Sequence, residues 1–443
     1  MRFRGITPIA LLLCVISVFA SDFSGHWKGV VANIPIVFHI SQDSIWKATI
    51  DSPQQGAMGI ACGNVVINGN SITIDMPAMR ANFKGEIAQD DKSITGTFIQ
   101  GMKFPLTLTR TTAEAAQLNR PQEPLPPFVY NCIDVTFTNG DLTLAGTLTL
   151  PYLGNKHKAV VLVSGSGSQN RDEELYGHKP FAVIADYLTR HGIAVLRYDD
   201  RGVGGSSSGR INDTTLDYAT DAMAAINYLK SRNDIDTTNI GIIGHSEGGL
   251  IAVINAATHH KDVNFIVTLA GPYVKGKDIL IKQNHLLAEM AGKPLTASQS
   301  KDVETIFETI ETSTDSLELA TRLTDIITAT EDSNKVEEIN KTVKIMTSPW
   351  YVSFVKLDPT KYLSQIKCPV LAINGTWDFQ VDANQNLETA QRNIPQSTIK
   401  RYEGLNHLLQ PSPSRQASIN YGAIETTISE QVLYDIVKWI LSL

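Results

Sequence analysis

From about residue 158 the chain repeats one rhythm. Short apolar runs, AVVLV, IAVLRY, NIGIIG, NFIVTL and CPVLAI, alternate with amphipathic helical patterns such as FAVIADYLTRHG, TLDYATDAMAAINYLKSR and GLIAVINAATHH. A run that is apolar along its whole length leaves no face for water, so each strand must be covered on both sides. Strands alternating with helices meet that demand by pairing in parallel under two layers of helix. The pattern therefore predicts an α/β unit with a mostly parallel sheet. It continues through STIKRYEGLNH and closes with a helix whose apolar face carries Ile428, Val432, Leu433, Ile436, Val437, Ile440 and Leu441.

The rest of the chain reads differently. Residues 21–112 hold IVFHI, WKATI, NVVI, SITIDM, SITGTFI and PLTLT, alternating with period two between Gly, Asn, Asp and Pro. They predict a small all-β domain, a sandwich or a barrel. PQEPLPPF lies in residues 113–130, expected to be a stiff linker, and leaves residues 131–443 for the α/β unit. Within that unit, residues from about 277 to 365 lack strand signal. Val303, Ile306, Phe307 and Ile310 fall at helical spacing there, so a helical insertion is expected. At that place in the sheet it would cap the carboxyl edge of the strands, as a lid or as a purely structural subdomain.

At the start, MRFRG precedes the apolar run ITPIALLLCVISVFA and a small-residue site ending at Ala20. Residues 1–20 read as an export signal, which places the mature protein in the periplasm or outside the cell. No later run is long enough to span a membrane. A net charge of −7 gives no basic surface for nucleic acid or anionic lipid. Cys62, Cys132 and Cys368 remain after the leader. They allow at most one disulfide, do not match metal-ligand spacing and read as small buried apolar residues. No metal or organic cofactor is expected.

The chemistry lies at strand ends. Gly244-His245-Ser246-Glu247-Gly248 sits between the strand NIGII and the helix GLIAVINAATHH, the setting of a nucleophile elbow. A serine hydroxyl needs a base, and the base needs an orienting acid. Asp378 follows the strand CPVLAING and could instead cap the helix NQNLETAQ, and Asp382 stands close enough to be its rival. His407 follows the next strand, and no histidine comes after it. The order Ser, Asp, His is that of the α/β hydrolases. An oxyanion hole is expected from the amide of Glu247 with one from Ser164-Gly165-Ser166-Gly167, Ser166 first and Gly167 next. His245, Trp350 and Tyr351 are candidates for a substrate pocket, the last two equally for core. Asp199, Asp200 and Arg201 are expected to pin a loop by charge pairing.

These residues carry a resemblance. DSPQQGAMGI, VLVSGSGSQNRDE, RYDDRGVGGS, IGHSEGG, NGTWDFQV, GLNHLLQ and YGAIETTISEQVLYDIVKWI together resemble secreted bacterial serine esterases of the α/β-hydrolase superfamily that bear an N-terminal β domain. The resemblance implies hydrolysis of small carboxylic esters, of short acyl chains, by Ser246, Asp378 and His407. One departure is Ser164, where many relatives place histidine. Thioesterase and peptidase activities belong to the same superfamily, and a non-catalytic surface-binding role is the alternative of another class.

Overall fold

The computed structural model describes residues 22–32, 34–52, 57–112, 120–330 and 336–443. The expected export signal lies outside them. The chain divides into two compact units, residues 1–118 and 119–443.

The first unit is one sheet of nine strands: β1 (Gly25–Val31), β2 (Ile34–Gln42), β3 (Trp46–Ser52), β4 (Ala57–Ala61), β5 (Val65–Asn68), β6 (Ser71–Met76), β7 (Ala81–Ile87), β8 (Ser93–Gln100) and β9 (Met102–Thr111). Their order across the sheet is β4-β3-β2-β1-β9-β8-β7-β6-β5, with every neighbouring pair antiparallel. Alternation buries one face: Ile72, Ile74 and Met76 of β6 pack with Phe83, Ile94 and Leu108. Of the two forms expected, a sandwich or a barrel, the unit is nearer the second, a single antiparallel sheet forming a half-barrel, because period two reports which face is buried and not which strands pair.

The second unit holds eight strands: β10 (Tyr130–Asn139), β11 (Leu142–Pro151), β12 (His157–Val163), β13 (Ala194–Tyr198), β14 (Ile235–His245), β15 (Phe265–Leu269), β16 (Val370–Gly375) and β17 (Ser397–Tyr402). They run in the order β10-β11-β13-β12-β14-β15-β16-β17. From β13 to β17 all neighbours are parallel. β10 and β11 form an antiparallel hairpin at one edge, which the strand reading did not include. The expected linker is shorter than its composition suggested. From Arg120 on it belongs to this unit, Arg120 donating to the carbonyls of Gly422 and Ile424 and Gln122 to that of Ile428.

Helices α1 (Pro180–Arg190), α2 (Thr215–Lys230) and α3 (Glu247–Thr258) follow β12, β13 and β14. α2 and α3 pack on one face of the sheet with Val161, Ile242 and Ile266. α1 covers the other face with the final helix. The insertion forms α4 (Gly276–Met290), α5 (Ala297–Thr312), α6 (Ser316–Thr330), α7 (Val336–Met346), α8 (Pro349–Lys356) and the short α9 (Thr360–Leu363). It has a core of its own, with Phe307, Ile310, Leu323, Val343 and Val355. Val303 and Ile306 are only partly buried against it. α10 (Ala383–Asn393) and α11 (Glu430–Ser442) complete the unit. Val432, Leu433, Ile436, Val437 and Ile440 of α11 are buried as the pattern predicts, whereas Leu441 is exposed. Among the described residues no helix is long and apolar enough to cross a membrane.

Candidate active site

Parallel strands deliver their following loops to one edge, and four such loops meet here. β14 ends at His245 and turns into α3 through Ser246. Ser246 takes φ 51° and ψ −119°, a left-handed backbone that a side chain adopts at a cost of roughly 1–3 kcal/mol. The turn closes only because its flanks lack side chains. A Cβ on Gly244 would stand 2.0 Å from the carbonyl oxygen of Gly248, and one on Gly248 would stand 2.0 Å from that of Val163. Ser246 N–H donates to Leu269 O of β15 at 2.8 Å, locking the elbow to the neighbouring strand. Ser246 is partly exposed between buried neighbours.

Two strands away, β16 ends at Gly375 and carries Asp378, and β17 ends at Tyr402 and leads to His407. Both side chains are buried. Asp378 Oδ2 meets His407 Nδ1 at 2.7 Å, while Asp378 Oδ1 accepts the amides of Gln380 and Val381 at 2.8 and 2.9 Å. The rival Asp382 caps α10, accepting the amide of Gln385 at 2.7 Å. The structure thus gives Asp378 to the histidine and Asp382 to the helix. Among the described residues no hydrogen bond joins Ser246 Oγ to His407 Nε2. Such contacts are often long before substrate binds.

The loop after β12 lies beside the elbow, since Val163 is in register with Gly244. Asp200 holds both ends of this loop, accepting Ser164 Oγ at 2.9 Å and Gln169 N–H at 2.8 Å. Burial pushes the Asp200 carboxyl up to about 7 despite those donors. Asp199 pairs with Arg171 at 2.7 Å, and Arg201 with Asp213 and Asp221 at 2.8 and 2.6 Å. Asp199 and Arg201 pin by ion pairs, therefore, and Asp200 by neutral donors. The amide of Gly165 is taken by Glu173 Oε1 at 2.7 Å. Those of Ser166 and Gly167 meet no acceptor among the described residues. The first amides of α3, beginning with Glu247, have no intrahelical acceptor and sit at the positive end of the helix dipole.

The pocket candidates separate. Trp350 on α8 reaches the elbow, its Nε1–H donating to Glu247 Oε1 at 2.9 Å, and Thr215 Oγ1 donates to the same oxygen at 2.6 Å. Tyr351 packs against the core of the insertion. His245 is corrected from a pocket residue to an internal one, because Glu173 and the His407 carbonyl engage both its ring nitrogens. A recess beside the elbow is lined by Ser164, Gly165, Asp200, Tyr218 and Glu247 among others. Glu173 closes the segment VLVSGSGSQNRDE, but the sequence assigns it no role. Cys62, Cys132 and Cys368 are all free thiols, and Cys132 is exposed, against the expectation of burial. Among the described residues no group of three or more His, Cys, Asp or Glu is arranged to hold a metal.

The chain is similar to several known proteins. Esterase EstD of Thermotoga maritima is 24% identical over 317 residues, covering 69% of this chain and 68% of that protein. An acyl transferase of Photobacterium leiognathi is 36% identical over 92 residues, covering 20% of this chain and 28% of that one. Among solved structures, Est1E of Butyrivibrio proteoclasticus with ferulic acid bound has 15% identity and a TM-score of 0.43, covering 70% of this chain and 98% of that one. The Pyrococcus furiosus esterase Pf2001 has 17% identity and a TM-score of 0.45, covering 74% of this chain and 97% of that one. The profile of one α/β-hydrolase family, described as serine aminopeptidase, S33, matches residues 155–411, more than half of the sequence and the whole span from β12 past His407, and the chain belongs to that family.

Proposed function

We propose that the protein hydrolyses carboxylic esters of short acyl chains through an acyl-enzyme on Ser246. The observation that carries the reading is the buried Asp378–His407 pair, at 2.7 Å, on the same sheet edge as the strained Ser246 turn. His407 Nε2 takes the Ser246 proton as Oγ attacks the ester carbonyl and returns it to the leaving alcohol. Asp378 holds the Nδ1–H tautomer and stabilises the imidazolium that forms. The amides of Glu247 and Ser166 receive the oxyanion, each such donor contributing about 3 kcal/mol in the transition state. Water, activated by the same imidazole, then releases the acid.

The name of a relative supports esters as the substrate class, since EstD is called an esterase. The family's description favours a second reading, cleavage of an amide. Turnover of matched short-chain oxyester, thioester and amide substrates separates the two. The oxyester should be fastest and an acyl-chain series should fall with length, and preference for the amide would reverse the assignment. A fluorophosphonate probe should label the wild-type protein and not Ser246→Ala. An unlabelled wild-type protein would favour a binding role. Export belongs to the same proposal, resting on residues 1–20, and amino-terminal sequencing of the mature protein should begin near Ser21.

A further inference from the structure

The proposed reaction leaves a second buried imidazole–carboxylate pair without a task. Glu173, in the loop between β12 and α1, is 1% exposed and takes φ 50°, again a left-handed backbone. Its Oε1 accepts two hydrogen bonds, from Gly165 N–H at 2.7 Å and from His245 Nδ1–H at 2.9 Å. The other ring nitrogen of His245, Nε2, lies 3.1 Å from the carbonyl oxygen of His407. A carbonyl oxygen can only accept, so Nε2 carries a proton; an ionised carboxylate can only accept, so Nδ1 carries one as well. With Glu173 ionised, His245 is therefore an imidazolium inside the protein.

The surroundings agree with that charge. Burial pulls the His245 pKa down, but the charge and hydrogen bond of Glu173, the His407 carbonyl and the more distant Asp378 carboxylate raise it above the ordinary value. The His407 ring stands 4.9 Å away, centroid to centroid. Phe181, Ile184, Leu269 and Leu409 supply an apolar wall around the pair.

Resting on the ester-hydrolase reading, we propose that the Glu173–His245 ion pair is a positioning device that ties the oxyanion loop to the general-base loop. One carboxylate oxygen fixes the Gly165 amide, which leaves the next amide, that of Ser166, to face the substrate oxygen. The imidazolium fixes the His407 backbone, which sets where the catalytic ring pivots about Asp378. Glu173 and His245 themselves touch no substrate.

Glu173→Gln keeps the side-chain shape and one accepting oxygen while removing the charge. It should lower kcat by about 100-fold, the scale on which a misplacement near 1 Å acts, with KM within about threefold. Nitrogen-15 NMR of labelled histidine should show His245 keeping both ring protons above the ordinary histidine value, near 6.5, in the wild-type protein, and losing one at lower pH in Glu173→Gln. The double variant Glu173→Gln/His245→Asn should lose no more than the worse single variant. The proposal is overturned if His245 in the wild type gives up its second ring proton at or below that ordinary value, a result that stands even should the variants fail to fold. A kcat within threefold of wild type in a folded Glu173→Gln protein overturns it too. Failure of the ester reading looks different: the wild type itself turns over no ester. The rate of fluorophosphonate labelling, which needs only an activated serine, then carries the same comparison between wild type and variant.

Discussion

His407 and His245 sit side by side, each buried, at 3% and 5% exposure, and each joined to a buried carboxylate through Nδ1, at 2.7 and 2.9 Å. Their partners differ little in kind, Asp378 in one loop and Glu173 in another. The second nitrogen separates them. Nε2 of His245 is spent on a backbone carbonyl, whereas Nε2 of His407 meets no protein acceptor among the described residues. A carboxylate partner thus does not by itself mark a general base. In the proposed mechanism, a ring nitrogen left for the substrate side is what distinguishes the proton carrier from the strut.

The most severe way to break this contrast is to remove each ring. His407→Ala or Ser246→Ala should reduce ester turnover by about a million-fold in steady-state kinetics, leaving only what the oxyanion hole and binding provide. His245→Asn should lose roughly 100-fold, and an equal loss at both positions would erase the distinction. Next, Asp378→Asn should lower kcat by roughly 10,000-fold by favouring the wrong tautomer, well beyond the effect of Glu173→Gln.

Stability sharpens the contrast further. Because the folded-state pKa of His245 is raised, the pair's contribution is full below the unfolded value, near 6.5, and fades as pH climbs through the folded value. Urea titrations should show Glu173→Gln destabilised by about 3 kcal/mol at pH 6 and by less at pH 9. The smallest expected effect is that of Trp350→Phe, which deprives the buried Glu247 of one donor. It should lower the melting temperature by about 2–4 °C, read by calorimetry.

Sequence reasoning reached those features that strand ends announce. Ser246, Asp378 and His407 were legible as candidates because each follows an apolar run, and a parallel sheet sends such positions to one edge. The Glu173–His245 pair left no trace of that kind. Its members lie 72 residues apart, and their meeting depends on a left-handed turn at a non-glycine residue. The β10–β11 hairpin is written more plainly, with Gly140-Asp141 as a two-residue turn between two alternating runs, a tight-turn signal in the sequence. Period two in the first unit picked out six of its strands, not β1, β4 or β7, and left the pairing open. Composition misjudged Cys132, which lies exposed on β10.

The bond from Trp350 to Glu247 also bears on how such an enzyme can be rebuilt. The helical insertion is not interchangeable cargo on a fixed chassis, because it supplies a hydrogen-bond donor to the buried side chain of Glu247, one residue past Ser246. A graft from another hydrolase must bring its own donor to that spot, or arrive with Glu247 replaced in the same stroke.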